Sequence, residues 1–166
     1  MQKSRRYDDV IVISLCSLLW LTGCQQRQND SANFVPTSRH HQIATIRLEL
    51  GYLYLEQHNS QAARHNFEQA YRYQPDHFAP RLGLACYFYT INDEAKAQAW
   101  LESAIKANEV HRSPHLCYRY FLANKGLDRL AQQQYELALK SVDYDMIEPI
   151  TEKAERCFLS PYQIRQ

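Results

Sequence analysis

Cys24 carries the clearest chemistry in this sequence, because it stands where an apolar run stops. Lys3, Arg5 and Arg6 come first, and an apolar run follows over residues 10–21. That run is shorter than the roughly 20 residues a membrane-spanning helix needs, and a basic segment before a short apolar core is typical of a secretory signal peptide. Leu21-Thr22-Gly23-Cys24 then has the pattern of a bacterial lipobox, in which the cysteine sulfur is alkylated by a diacylglyceryl group. We therefore predict a signal peptide over residues 1–23 and lipidation of Cys24.

Lipidation defines the expected location. A diacylglyceryl group and an N-acyl chain such as palmitate on Cys24 together give a stable membrane anchor, at about 0.8 kcal/mol per buried methylene. Gln25 follows the cysteine, and the absence of Asp there favours the periplasmic face of the outer membrane. Residues 25–38 are rich in Gln, Asn, Ser and Arg, so we expect a disordered linker over residues 24–41 before a domain at 42–166. No other cofactor is expected.

Charge argues against nucleic acid as a partner. Removal of residues 1–23 takes away three basic and two acidic residues, which leaves equal numbers of each. A neutral chain without a run of Lys or Arg lacks the electrostatic footprint of a nucleic-acid binder.

The domain is built from an internal repeat. The blocks "LELGYLYLEQHNSQAARHNFEQAYRYQP", "LGLACYFYTINDEAKAQAWLESAIKANE" and "LCYRYFLANKGLDRLAQQQYELALKSVD" start at Leu48, Leu82 and Leu116. Their spacing of 34 residues is the period of the tetratricopeptide repeat, a helix–turn–helix unit. We predict an all-α superhelix with units over about 44–77, 78–111 and 112–145, and a capping helix over about 147–159 that closes the end of the stack.

Small and large residues alternate between columns of this alignment. Gly51 and Ala85 stand where the two helices of a unit cross closely. Two alanine columns recur with the same period: Ala63, Ala97 and Ala131; Ala70, Ala104 and Ala138. Such columns are typical of closely packed helices.

The first helix of each unit is the candidate binding surface, because tetratricopeptide stacks bind extended peptides or helices in the groove that these helices line. The predicted groove residues are Leu48, Tyr52, Leu55, Leu82, Cys86, Tyr89, Leu116 and Tyr120. This apolar and aromatic set favours an apolar or amphipathic partner segment. Packing between repeats is the alternative interpretation for each of these residues.

Catalysis finds little support in the sequence. His111 and His115 have ligand-like spacing, but no Cys or carboxylate joins them, so we interpret both as solvated surface histidines. No phosphate-binding loop or nucleophile motif is present. We expect no enzyme activity and no metal site.

Three cysteines remain in the mature domain: Cys86, Cys117 and Cys157. Helical positions on neighbouring repeats often lie too far apart for a disulfide, which requires Cα atoms within about 7 Å. We therefore predict no firm pairing among the three.

The lipobox and the domain together resemble the tetratricopeptide lipoproteins of type IV pilus biogenesis, the pilotins of the PilF and PilW family. The resemblance rests on the three repeat blocks and on "DMIEPITEKAERCFLS". Its more particular motifs are Tyr-x-x-Phe-Leu at residues 118–122 and Glu-x-Ala-x-x-Cys at residues 152–157. It implies an outer-membrane protein that binds a secretin subunit and helps the secretin multimerise for pilus assembly, twitching or DNA uptake.

The chain departs from the family at Arg119, where Gly is common, and at Ala123, where the family has a cysteine. Cys157 matches the family cysteine that pairs with that missing residue, so the family disulfide is not expected. Two other functions fit the same features. One is a general periplasmic scaffold that docks cell-wall enzymes, and the other is a lipoprotein of a Tad-type pilus.

Overall fold

The computed structural model describes residues 36–141 and 149–159, with side chains from Arg39 onward. Seven helices lie within this part of the chain: α1 (Pro36–Glu56), α2 (Ser60–Tyr73), α3 (Phe78–Thr90), α4 (Glu94–Ala107), α5 (Arg112–Asn124), α6 (Asp128–Leu139) and α7 (Pro149–Leu159). No described residue is in a strand, and the predicted all-α fold is confirmed.

Six of the helices form three consecutive hairpins, α1–α2, α3–α4 and α5–α6. The second helices begin at Ser60, Glu94 and Asp128, and α3 and α5 begin at Phe78 and Arg112. Each of these starts lies 34 residues after its counterpart, as the repeat predicts. The described helices therefore follow a helical-repeat arrangement, while the tetratricopeptide assignment itself stays a prediction.

The hairpin turns share one backbone feature. His58, Asn92 and Gly126 all have positive φ angles, of 56°, 61° and 71°. A left-handed residue just beyond a helix is the common way to end it, and Gly and Asn adopt that conformation most readily. The same turn thus recurs in all three hairpins at the repeat spacing.

Helix starts are capped in two ways. Asn59 and Asp93 accept hydrogen bonds from the backbone N–H groups of Ala62 and Lys96, which is the usual chemistry of an N-cap. At the starts of α3 and α5, Nδ1 of His77 and of His111 accepts from the backbone N–H two residues later. Leu127 precedes α6 without a side-chain cap.

Close helix crossing depends on the small residues that the repeat predicts. All six alanines of the two columns are buried, at 6% exposure or less. The Phe67 ring on α2 fits against Gly51 of α1 and Gly83 of α3, and a Cβ on Gly83 would lie 2.5 Å from Cδ1 of that ring. Tyr52 contacts the same ring edge-on at 5.0 Å between centroids. Phe67 therefore joins the first hairpin to the second.

The start of the domain differs from the predicted boundary. Helix α1 begins at Pro36, inside the segment predicted as linker. Proline suits the first helical turn, and side chains there already meet α2, since the rings of His40 and Tyr73 lie 5.6 Å apart. The predicted signal peptide, Cys24 and the remainder of the predicted linker lie outside the described residues, as do residues 142–148.

We expect Gly51→Ala and Gly83→Ala each to lower the free energy of unfolding by about 1–3 kcal/mol, because the added methyl group overlaps the Phe67 ring. Chemical denaturation measures the loss. Phe67→Leu should make both glycine substitutions less costly, since it removes Cε1, which is among the conflicting ring atoms at both sites, and leaves a smaller, more adaptable side chain. Gly126→Ala is the control: its site is open and its cost comes from the positive φ angle, so Phe67→Leu should give it no relief. Equal behaviour of all three glycines would contradict the packing argument.

Candidate functional site

The inner face of the hairpin stack, formed by α1, α3 and α5, was the predicted binding groove. The structure places seven of its eight predicted residues in the core, at 4% exposure or less: Leu48, Tyr52, Leu55, Leu82, Cys86, Tyr89 and Leu116. Tyr120 is partly exposed. The prediction of an open groove at these seven residues is therefore wrong, and they pack inside the domain.

Helix α7 covers this face along α3 and α5, whereas Tyr52 of α1 packs on Phe67 of α2. The sequence pattern suggested a cap over the end of the stack, but α7 packs against α3 and α5. Its inward residues are Thr151, Ala154, Cys157 and Phe158, all at 3% exposure or less. The inner face thus holds an amphipathic helix supplied by the chain itself.

Phe158 anchors this helix. Its ring lies 5.0 Å from the Tyr89 ring of α3 and 6.5 Å from the Phe121 ring of α5, measured between centroids. Asn124 donates to the backbone carbonyl oxygen of Phe158 at 2.7 Å and also lies 3.0 Å from the Tyr89 hydroxyl. Aromatic pairs at such distances contribute about 0.5–1.5 kcal/mol beyond the area they bury. The end of α7 is therefore fixed by both ring packing and a hydrogen bond.

A disulfide joins α7 to α3. Cys86 and Cys157 are bonded, with Cα atoms 6.1 Å apart, so the prediction of no firm pairing is wrong. That prediction considered neighbouring repeats, whereas α7 is not a repeat and crosses α3 closely enough to meet the geometric requirement. Cys117 is a free, buried thiol.

Burial governs the titration of groups around α7. It raises the pKa values of the Cys117 thiol and the Tyr52 hydroxyl well above their usual ranges. A thiol held in its protonated form is a poor nucleophile, so Cys117 suits packing and not catalysis. Burial also raises the pKa of Glu155 on α7, although Ser113 and Arg112 oppose this shift.

The two histidines with ligand-like spacing are not surface groups. His111 is 8% exposed and His115 is 4% exposed, so their interpretation as solvated residues is wrong. Nδ1 of His115 lies 2.8 Å from the Gln134 amide oxygen, and Nε2 donates to the Glu109 carbonyl oxygen at 3.1 Å. Both ring nitrogens of His115 are thus occupied in joining α5 to α6 and to the preceding loop.

A small cavity of about 220 Å³ lies near the start of α7, where Pro149 and Ile150 face Leu48 and His77. Within residues 36–141 and 149–159, no cluster of His, Cys, Asp or Glu could hold a metal ion. In the same residues, no helix is long and apolar enough to cross a membrane.

Sequence analysis missed three residues of the inner face: Phe121, Asn124 and Phe158. Phe121 lies in the first of the two particular motifs of the family resemblance, and Phe158 directly follows the second, so the signal was present in the sequence. The sequence pattern did not show which surface of the hairpins α7 packs against.

Comparison with known proteins gives little to identify this chain. No protein-family model matches it. A Haemophilus influenzae protein described as "Uncharacterized protein" is 31% identical over 105 residues, which cover 63% of this chain and 59% of that protein. The chain thus spans less than two thirds of the relative's length. No solved structure matches.

We expect the Cys86→Ala/Cys157→Ala variant to lose about 4 kcal/mol of unfolding free energy, because the bond closes a long loop between residues 71 apart in sequence. Urea denaturation with and without a reductant measures this. Reductant should lower the unfolding free energy of the wild type and leave that of the variant unchanged. The Cys117→Ala variant is the control and should keep its sensitivity to reductant. Wild-type stability in the double variant would show that the bond does not hold α7.

We expect Glu155→Gln to stabilise the protein at neutral pH. The folded carboxyl has a raised pKa, so stability falls as pH rises from the unfolded value, about 4.3, through the folded value. An uncharged amide avoids this loss, and its advantage should disappear at pH values below the unfolded pKa.

Denaturation at neutral and acidic pH tests this, with Glu152→Gln as the control. Glu152 is exposed on the same helix, lies 3.9 Å from Arg156 and contributes less than burial does to the raised pKa of Glu155, so its substitution should bring a much smaller gain at neutral pH. A Glu155→Gln effect that is independent of pH would contradict the burial argument.

Proposed function

We propose that this protein is a non-catalytic adaptor, anchored through lipid on Cys24 at the periplasmic face of the outer membrane. In this role it binds a subunit of the secretin channel and assists secretin assembly in type IV pilus biogenesis, twitching or competence. The lipobox, the 34-residue repeat and the resemblance to pilotins support this proposal.

The observation that carries an adaptor role is the way the inner face receives α7. Tyr89 and Phe121 hold Phe158, while the small residue Ala154 sits one turn earlier in the buried stripe. Binding of a helix through an aromatic anchor and small neighbours is a common mode of peptide recognition. The chemistry of this face therefore suits an amphipathic partner segment.

The covalent bond at Cys157 restricts where such a segment can bind. A partner cannot replace α7 while Cys86 and Cys157 are joined, so we place its contact beside α7. Tyr120 stands in the repeat column of Cys86, one unit further along, and is partly exposed. We infer that the partner segment contacts α5 around Tyr120.

Site-specific photocrosslinking in intact outer membranes tests the proposal. A photoreactive phenylalanine analogue replaces Tyr120 in the full chain, and a matched variant carries it at Leu53, which is 44% exposed on α1. We expect a secretin adduct from position 120 and none from position 53.

Adducts with cell-wall hydrolases would favour the general scaffold instead, and adducts with Tad pilus proteins would favour that system. Normal secretin multimers and pili in a strain lacking the gene would contradict the proposed function.

A further inference from the structure

Helix α6 and the residue before it carry exposed apolar side chains in the described part of the chain. Leu127, Leu130 and Leu137 are 41%, 46% and 44% exposed. The corresponding positions of the first two hairpins are not leucine: Asn59, Ala62 and Gln69 in the first, and Asp93, Lys96 and Ser103 in the second. The third hairpin thus has a leucine stripe, defined as Leu127, Leu130 and Leu137, where the others are mostly polar.

The stripe has a local cost at Leu127. Asn59 and Asp93 cap their helices through side-chain oxygens, and Leu127 occupies the same position before α6 with no side-chain cap. Leucine is among the poorest N-cap residues. The start of α6 therefore lacks the capping hydrogen bond of the other two hairpins. A leucine at this position does not stabilise α6 itself, so any stabilising contact of Leu127 is with another surface.

Two charged residues of opposite sign, Arg129 and Glu136, lie beside the two ends of the stripe. Leu130 and Leu137 are seven residues apart, so they share one side of the helix, about two turns apart. Arg129 directly precedes Leu130, and Glu136 directly precedes Leu137, so both charges lie along the same flank. Both side chains are exposed. One end of the stripe therefore carries a positive charge and the other a negative charge.

We propose that a second copy of this chain packs on the leucine stripe of α6, in an antiparallel arrangement about a two-fold axis. In this pair, Leu130 of each copy lies on Leu137 of the other, and Arg129 of each copy lies beside Glu136 of the other. A two-fold axis perpendicular to the two helices preserves the flank on which a residue stands, so both charge pairs form at once. A parallel pair would instead place the equivalent charges on opposite flanks, so that neither Arg129 would lie beside a Glu136.

The expected dimer is weak. One helix from each copy buries less than the roughly 1,200 Å² of total surface that marks a stable interface. Anchoring in a common membrane would raise the effective concentration of the two copies. This inference does not depend on the secretin proposal, since it concerns the chain alone.

Helix α1 provides a matched control. Ile46 and Leu53 are also seven residues apart and are 57% and 44% exposed. The residues directly before them are Thr45 and Tyr52, which carry no charge pair. An apolar pair with the same spacing and at least the same exposure is thus present without charged residues of opposite sign beside it.

Sedimentation equilibrium of the full chain in density-matched detergent, over a wide concentration range, is the first test. We expect reversible dimers that Leu130→Glu/Leu137→Glu weakens about tenfold or more, which corresponds to the apolar area lost. Ile46→Glu/Leu53→Glu should leave the association unchanged, and circular dichroism should show that both variants fold. A wild type that stays monomeric throughout, or dimers unaffected by the α6 variant, would overturn the proposal.

Charge reversal tests the orientation. Arg129→Glu alone and Glu136→Arg alone should each weaken the dimer, because each brings like charges together. The double reversal should restore wild-type association. Failure of the double variant to recover would overturn the antiparallel arrangement.

A labelling experiment tests whether other residues of the same chain cover the leucine stripe. If Leu130→Cys in a monomeric sample resists a thiol reagent while exposed Leu53→Cys reacts, the chain's own remaining residues cover the stripe, and the dimer proposal fails.

Discussion

The docking of α7 onto the inner face of the hairpins is the contact on which the rest of the domain depends. Phe158 touches both α3 and α5 through Tyr89 and Phe121, and Cys157 is bonded to Cys86. These contacts convert a surface that repeat proteins commonly leave open into the centre of a closed core. Helices α3 and α5 are therefore packed on two sides, each against the second helix of its own hairpin and against α7.

Within the stack, small residues decide how near the helices come. Phe67 occupies the space left by Gly51 and Gly83, and the alanine columns keep the helices of each hairpin close. This packing is local, since each hairpin contacts the next one along the chain. The hairpins thus form a regular series, and α7 adds the long-range contacts that a series of this kind lacks.

The periodic part of the fold was predictable from sequence. A spacing of 34 residues located the second and third hairpins, because packing requires the same residue sizes at the same places in every unit. The position of α7 was not predictable in this way. An amphipathic helix of 11 residues can cover an end or fill a groove with the same pattern, and the burial of Tyr89 and Cys86 depended on that choice. The histidine caps His77 and His111 were missed because histidine is rarely a capping residue.

Because α7 follows the hairpins in the chain, the domain can complete its core only after α7 has been synthesised. Cys157 comes 71 residues after the cysteine it joins, so the aromatic interior around Tyr89 and Phe121 stays uncovered until the last helix has arrived. Contacts between distant parts of a chain form slowly, and exposed apolar surface favours aggregation in the meantime. A chain cut short before α7 would display this interior permanently, so quality-control proteases and chaperones could distinguish an incomplete molecule from a finished one.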